Sequence, residues 1–174
     1  MTARRDARSA LQRELCRSHP GCGVVAVKLN IPGPVKTSPV LDAVFAAGMS
    51  RIDRVLHRLD PLMAPGELWA GPTGPEAFRV VRSRLPAVKT TLVGFEEHDT
   101  CGRLFDADVW GADGGGPDAP VRTMSRTELG LPSRTCVVCG SPVRACARSR
   151  RHGLDALLDA IAGIVCTPAS AEFA

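Results

Sequence analysis

The sequence predicts a single α+β domain, a mostly antiparallel sheet with flanking helices, on three observations. Its 174 residues, 44% apolar and 23% charged, suit one ordinary globular domain with a real core. Short β-branched runs are joined by Pro- and Gly-rich turns, one of which reads as a hairpin. Two long stretches, residues 40–59 and 154–165, repeat apolar residues at helical spacing.

Composition narrows the function classes. The apolar runs are short, such as residues 23–29, and the chain opens with Thr2-Ala3-Arg4-Arg5-Asp6, so neither a signal peptide nor a spanning helix is visible and a cytoplasmic setting is expected, with no membrane partner. Seven cysteines is an odd number and three of them cluster at metal-ligand spacing, which argues for reduced thiols over a disulfide framework. The net charge of +4 is carried by arginine, since the only lysines are Lys28, Lys36 and Lys89. Guanidinium groups bind phosphate bidentately, so this balance suits a polyphosphate ligand or an acidic protein partner. With no long basic run, no Tyr and 4% aromatics, no nucleic-acid surface is expected.

In chain order, residues 3–16 hold helix formers with a weak apolar stripe, and residues 24–29 read as a buried strand. The loop Pro32-Gly33-Pro34-Val35-Lys36-Thr37-Ser38 offers backbone N–H groups, a lysine and hydroxyls to a phosphate. Its alternative is a plain turn in which Ser38 caps the next helix and Pro39 takes the first helical position. The helix over 40–59 is scaffold, and His57 is assigned no role. Residues 67–71 and 77–81 form the hairpin, and after Pro86 a strand is expected over about 90–97. A polar loop over 98–102 follows, placing Glu96, Glu97 and His98 near the next strand as candidate bases or ligands.

That next strand, Gly102-Arg103-Leu104-Phe105-Asp106-Ala107-Asp108-Val109-Trp110, carries the chemistry. Two aspartates two apart project from one face, where like charges repel unless a cation lies between them. Magnesium fits, being held by one or two carboxylates together with substrate phosphates, and the alternative is a solvated strand face, since Asp-x-Asp is a common tripeptide. Beyond it come a glycine-rich turn at 113–118, a return strand at 121–124, and Ser125-Arg126-Thr127-Glu128, a capping box in which Arg126 is either cap decoration or a phosphate ligand.

Cys136, Cys139, Cys146 and His152 supply four zinc-type ligands, the first pair at knuckle spacing. Extending the helix of 154–165 back would turn His152 about 120° from Cys146, so a tetrahedral site requires the helix to start after Cys146. Otherwise Cys146 is a packed thiol and His152 joins Arg148, Arg150 and Arg151 in a basic cluster. Both outcomes stay open, and a frayed tail follows from Thr167.

These blocks, in this order, resemble the citrate lyase holo-acyl carrier protein synthase family, the apo-citrate lyase phosphoribosyl-dephospho-CoA transferases. The blocks are Pro32-Gly33-Pro34-Val35-Lys36 with Ser38, residues 102–109, Ser125-Arg126, and Arg134-Thr135-Cys136-Val137-Val138-Cys139 through Cys146-Ala147-Arg148 to His152. One departure is that Asp99, beside His98, stands where the family pattern has a histidine before the Gly-Arg pair. The resemblance implies transfer of a phosphoribosyl-dephospho-CoA unit from 2'-(5''-triphosphoribosyl)-3'-dephospho-CoA to a serine of the citrate lyase acyl carrier subunit, with release of pyrophosphate. In that reading Asp106 and Asp108 hold Mg2+, Lys36, Ser38, Arg103, Arg126 and Arg134 bind phosphates, and Glu96 is the candidate base. A nucleotidyltransferase-like core is an analogy resting on the two aspartates alone. Two rivals stand beside it: a holo-acyl carrier protein synthase for malonate decarboxylase, and a non-enzymatic zinc-binding adaptor built on the cysteine array.

Overall fold

The computed structural model describes residues 2–112 and 120–167; the turn expected at 113–118 and the tail expected beyond Thr167 lie outside the described residues. The elements in order are α1 (Thr2–Ser18), β1 (Gly23–Leu29), α2 (Pro39–His57), β2 (Leu68–Trp69), β3 (Glu76–Val81), α3 (Leu85–His98), β4 (Phe105–Ala112), β5 (Val121–Met124), α4 (Val143–Ser149) and α5 (Leu154–Cys166). The five strands form one sheet in the order β2-β3-β1-β4-β5, every neighbouring pair antiparallel. This is the expected α+β domain.

β1 is central, and its apolar run Val24-Val25-Ala26-Val27 is buried on both faces because helices cover both. α1 packs against β1 and β4 on one side. On the other, Val25, Val27, Phe105, Ala107 and Val109 share a core with α2 and α3. Phe105 anchors that core, its ring 6.1 Å from Phe45 of α2 and 5.4 Å from Phe95 of α3. α2 comes this close because of Gly48, where a Cβ would lie 2.0 Å from the Phe105 ring.

The strand expected over 90–97 is instead the middle of α3. Thr90, Thr91 and Val93 favour a strand by local propensity, but Val88, Leu92 and Phe95 fall on one helical face and bury there, and packing outweighs propensity. Pro86, expected to break the chain, sits in the first turn of α3, where its missing N–H costs nothing. The polar loop expected over 98–102 shrinks accordingly, and residues Gly102–Leu104 form a 3-10 turn, so the aspartate strand begins only at Phe105.

Candidate functional site

Alternation along β4 separates core from site. Phe105, Ala107 and Val109 are buried against α2 and α3, while Asp106 and Asp108 share the opposite, partly exposed face, as their spacing predicts. Across the central pairing Asp106 faces Lys28 and Asp108 faces Ala26. Lys28 Nζ lies 3.3 Å from Asp106 Oδ2 and Arg134 Nη1 lies 3.8 Å from Asp106 Oδ1. Burial, and then the neighbouring Asp106 charge, push the Asp108 carboxyl above its usual range, against the pull of Lys89, Lys28 and Arg8.

The backbone between the aspartates is held from the side. β5 pairs with β4 only from Val109 onward, so among the described residues the outer edge at Ala107 has no strand partner. α3 supplies one: Lys89 Nζ donates to the Ala107 carbonyl at 2.8 Å, and the Ala107 N–H donates to Glu96 Oε1 at 3.2 Å. Both side chains are buried, Lys89 at 7% and Glu96 at 1% exposure, which an unpaired charge would not tolerate. Glu96 Oε2 also accepts from Arg126 Nη2 at 2.6 Å, and Arg126 reaches Glu97 as well. Glu96, expected at the end of a strand just before the polar loop, lies instead near the end of α3, buried as a bracket for β4 and Arg126.

The other candidates divide. Arg103 and Arg134 come together: Arg134 Nη2 donates to the Arg103 carbonyl at 3.0 Å, and Arg103 donates to the Thr135 carbonyl. Burial, and then the charges of Arg134 and Arg126, disfavour the charged form of Arg103, with Glu96 and Glu97 opposing them. Gly102, just before Arg103, lets this turn close against the end of α3, since a Cβ there would lie 2.2 Å from the Phe95 carbonyl oxygen. Lys36 donates to the Ile31 carbonyl inside its own loop, and Ser38 Oγ caps α2, accepting from the Leu41 N–H at 3.2 Å. Those two follow the plain-turn alternative, with Pro39 opening the helix. Ser125 and Glu128 form the capping box, the Ser125 N–H donating to Glu128 at 2.7 Å and the Glu128 N–H to Ser125 Oγ at 3.3 Å. Asp99 takes a bidentate pair from Arg51 at 2.6 and 3.0 Å, a structural bond that accounts for a carboxylate at that position.

The cysteine array closes into a site. The Cys136 N–H donates to the Ser141 carbonyl at 2.6 Å and the Gly140 N–H to the Cys136 carbonyl at 3.0 Å, with Gly140 in the left-handed region at φ +70°. α4 then carries Cys146 and stops at Arg150, whose φ of +47° reverses the chain before α5 begins. That interruption answers the helical-phase objection and returns His152 to the knuckle. His152 Nε2 lies 3.2 Å and Cys146 Sγ 3.5 Å from Cys139 Sγ, and all four ligand atoms fall within 4.8 Å of one another. Hydrogen bonds from Ser141, then His152 and Cys146, bring the Cys139 thiol down to about 5, into thiolate territory. The donor set, three sulfurs and one imidazole nitrogen, and its packing fit a tetrahedral metal centre.

Lys28 and Lys89 are the functional neighbours that sequence reasoning missed. Lys89 stands seven residues before Glu96, two turns along one helix, a signal hidden while the segment read as a strand.

Paired carboxylates on one sheet face, beside ammonium and guanidinium groups, make an arrangement able to hold phosphates. The chain belongs to the apo-citrate lyase phosphoribosyl-dephospho-CoA transferase family, whose model matches residues 1–167. It is 33% identical over 156 residues to the probable apo-citrate lyase phosphoribosyl-dephospho-CoA transferase of Vibrio cholerae serotype O1, covering 89% of this chain and 83% of that protein. Against the probable enzyme of the same name from Streptococcus pyogenes serotype M18 it is 30% identical over 171 residues, covering 95% and 83%. Protein CitXG of Leuconostoc mesenteroides subsp. cremoris is 35% identical over 152 residues, 86% of this chain but 31% of that protein, so the chain spans about a third of this longer relative. Among the described residues no helix is long and apolar enough to cross a membrane.

Proposed function

We propose that this protein transfers the phosphoribosyl-dephospho-CoA group from 2'-(5''-triphosphoribosyl)-3'-dephospho-CoA to a serine of the citrate lyase acyl carrier subunit. The observation that carries it is the placement of Asp106 and Asp108 on one face of β4, beside Lys28 and Arg134. Serine oxygen bonds to the phosphorus next to the ribose, the bond from that phosphorus to the departing pyrophosphate breaks, and the serine proton is released. Such a reaction needs cations aimed at the phosphate oxygens and a nucleophile held in line.

The residues present suit magnesium, because two carboxylates on a sheet face leave its remaining positions for phosphate oxygens. Bound between Asp106 and Asp108, the ion would neutralise the charge that develops on the departing pyrophosphate. Lys28 and Arg134 flank Asp106 and meet the same phosphates, and Arg103 stands directly behind Arg134. Glu96 and Lys89 act on Ala107, keeping the two carboxylates in step. Lys36, Ser38 and Arg126 lie in the loop, the α2 cap and the Glu96 bracket, whereas Lys28 and Arg134 adjoin Asp106 and Arg103 adjoins Arg134, so the phosphate role is given to Lys28, Arg103 and Arg134. The carrier partner is expected to be acidic, matching the basic surface.

Intact-mass spectrometry of the carrier subunit, incubated with this protein, magnesium and the triphosphoribosyl donor, tests the proposal. The expected result is a mass gain equal to the donor minus pyrophosphate, lost on omitting magnesium and with Asp106→Ala. Activity surviving Asp106→Ala would sink the metal assignment. A carrier exchange, with the malonate decarboxylase acyl carrier protein in place of the citrate lyase subunit, separates the two acceptors.

A further inference from the structure

A cleft of about 630 Å³ runs between the cysteine-histidine segment and the body of the domain. Its apolar lining comes from Leu104, Val137, Val143, Ala147, Leu157 and Ile161. Three arginines, Arg103, Arg134 and Arg150, also line it, and no carboxylate does. Neither Arg103 nor Arg150 is ion-paired to a described residue. The combination of apolar walls with two guanidinium groups outside any ion pair and a third shared with Asp106 and Glu96, at a size typical of small-molecule sites, calls for an anion with a substantial apolar body.

Position narrows the ligand further. Arg134 belongs to this cleft and also lies 3.8 Å from Asp106, so the cleft adjoins the aspartate pair through a single guanidinium. Of the other hollows among the described residues, one is lined by Asp42 and by the Asp53–Arg79 ion pair, which leaves no cation free for an anion. A second lies between α2 and α3, on the side of the sheet away from the aspartates, and a third, lined by Ala145, Cys146, Ser149 and Arg151, offers no large apolar side chain.

We infer that this cleft takes the 3'-dephospho-CoA arm of the donor, its pyrophosphate on the arginines and its pantetheine chain along the apolar wall, while the triphosphate reaches the aspartates past Arg134. The assignment rests on the proposed transfer reaction for the identity of the donor, but its test reads binding alone. Cys136, Cys146 and His152 form part of the same wall, so the metal centre would shape the donor site while standing apart from the reacting phosphates.

The experiment is isothermal titration of the full chain with 3'-dephospho-CoA in magnesium-free buffer without chelator, alongside ADP and pantetheine as partial ligands. Two variants report on the cleft. Ala147→Trp fills it from an exposed position on α4, and Arg150→Asn removes a cation while keeping a residue that tolerates the left-handed backbone. Circular dichroism melts and metal content confirm that both stay folded. The expected result is that 3'-dephospho-CoA binds more tightly than either partial ligand, that Arg150→Asn weakens it about tenfold, and that Ala147→Trp abolishes it. Binding untouched by both folded variants overturns the site, as does ADP binding as tightly as 3'-dephospho-CoA or no binding by a protein that still modifies the carrier. Variant-sensitive binding without carrier modification leaves the cleft assignment standing and removes the proposed reaction instead.

Discussion

Lys89 Nζ donates to the Ala107 carbonyl at 2.8 Å, tying a buried helix lysine to the one residue that separates the two aspartates. With Glu96 accepting from the Ala107 N–H, α3 does for β4 what a neighbouring strand would do, and does so where β5 has turned away. The aspartate-bearing strand thereby keeps its outer edge at Ala107 free of a strand partner among the described residues without leaving the Ala107 backbone groups unsatisfied.

Replacing Glu96 by Gln removes the charge that Arg126 and the Ala107 N–H share. Because both members of the Glu96–Arg126 pair are largely buried, the expected loss is about 3 kcal/mol of stability, read as a lower urea midpoint with unchanged slope. Lys89→Met should keep more stability, since its thioether can pack in the same space, yet raise the magnesium concentration needed for half-maximal transfer. A Lys89→Met protein with the parent's magnesium dependence would show that the bracket does not position the aspartates.

Asp108 sets activity against stability. Its folded-state acidity is weakened by burial and by Asp106, so the ionised form is disfavoured in the fold relative to the unfolded chain. The charge therefore costs stability above the raised value, and the cost disappears as pH falls below the unfolded value, where both states are protonated. In magnesium-free buffer Asp108→Asn should melt higher than the parent at neutral pH, with the gap closing on acidification, and should be inactive in transfer. A lower melting temperature at neutral pH would count against this account.

Gly102→Ala tests the turn that delivers β4. The added methyl meets the Phe95 carbonyl, a backbone atom that cannot swing aside, so α3 and the 3-10 turn must separate. The expected cost is about 1–3 kcal/mol, as for other overpacked sites, with transfer falling further than stability because Arg103 moves with the turn. Thermal melts beside transfer rates at a temperature where both proteins are folded would expose the difference.

The cysteine-histidine cluster makes its own prediction. Purified protein should carry about one zinc per chain, as the four-ligand set implies, and Cys139→Ser should lower that content while leaving the sheet's far-ultraviolet signal. Hydrogen exchange should rise across residues 134–153, which are tied together by the cysteine and histidine ligands. Full protection of that segment in a metal-free protein would show that packing alone holds it.

Much of the site was legible because it is local. Alternation puts Asp106 and Asp108 on one face of any strand, Ser38-Pro39 and Ser125-Arg126-Thr127-Glu128 announce helix starts through their own side chains, and Cys136 and Cys139 share a knuckle spacing. Residues 85–98 were not legible in the same way. Thr90, Thr91 and Val93 speak for a strand one residue at a time, and only the packing of Leu92 and Phe95 against β4 makes the helix the better solution.

The sequence by itself determined which groups are on hand: two carboxylates in phase, arginine in excess over lysine, and three thiols with an imidazole in one segment. Only the tertiary structure decided which of those groups meet. Lys28 reaches Asp106 across a strand pair, Lys89 and Glu96 reach Ala107 from a helix, and Arg134 stands between the aspartates and the cleft. Each of these contacts joins segments distant in the chain, and their geometry is set by the burial of Phe105, Ile52 and Leu92 in a common core rather than by any preference of the residues that touch.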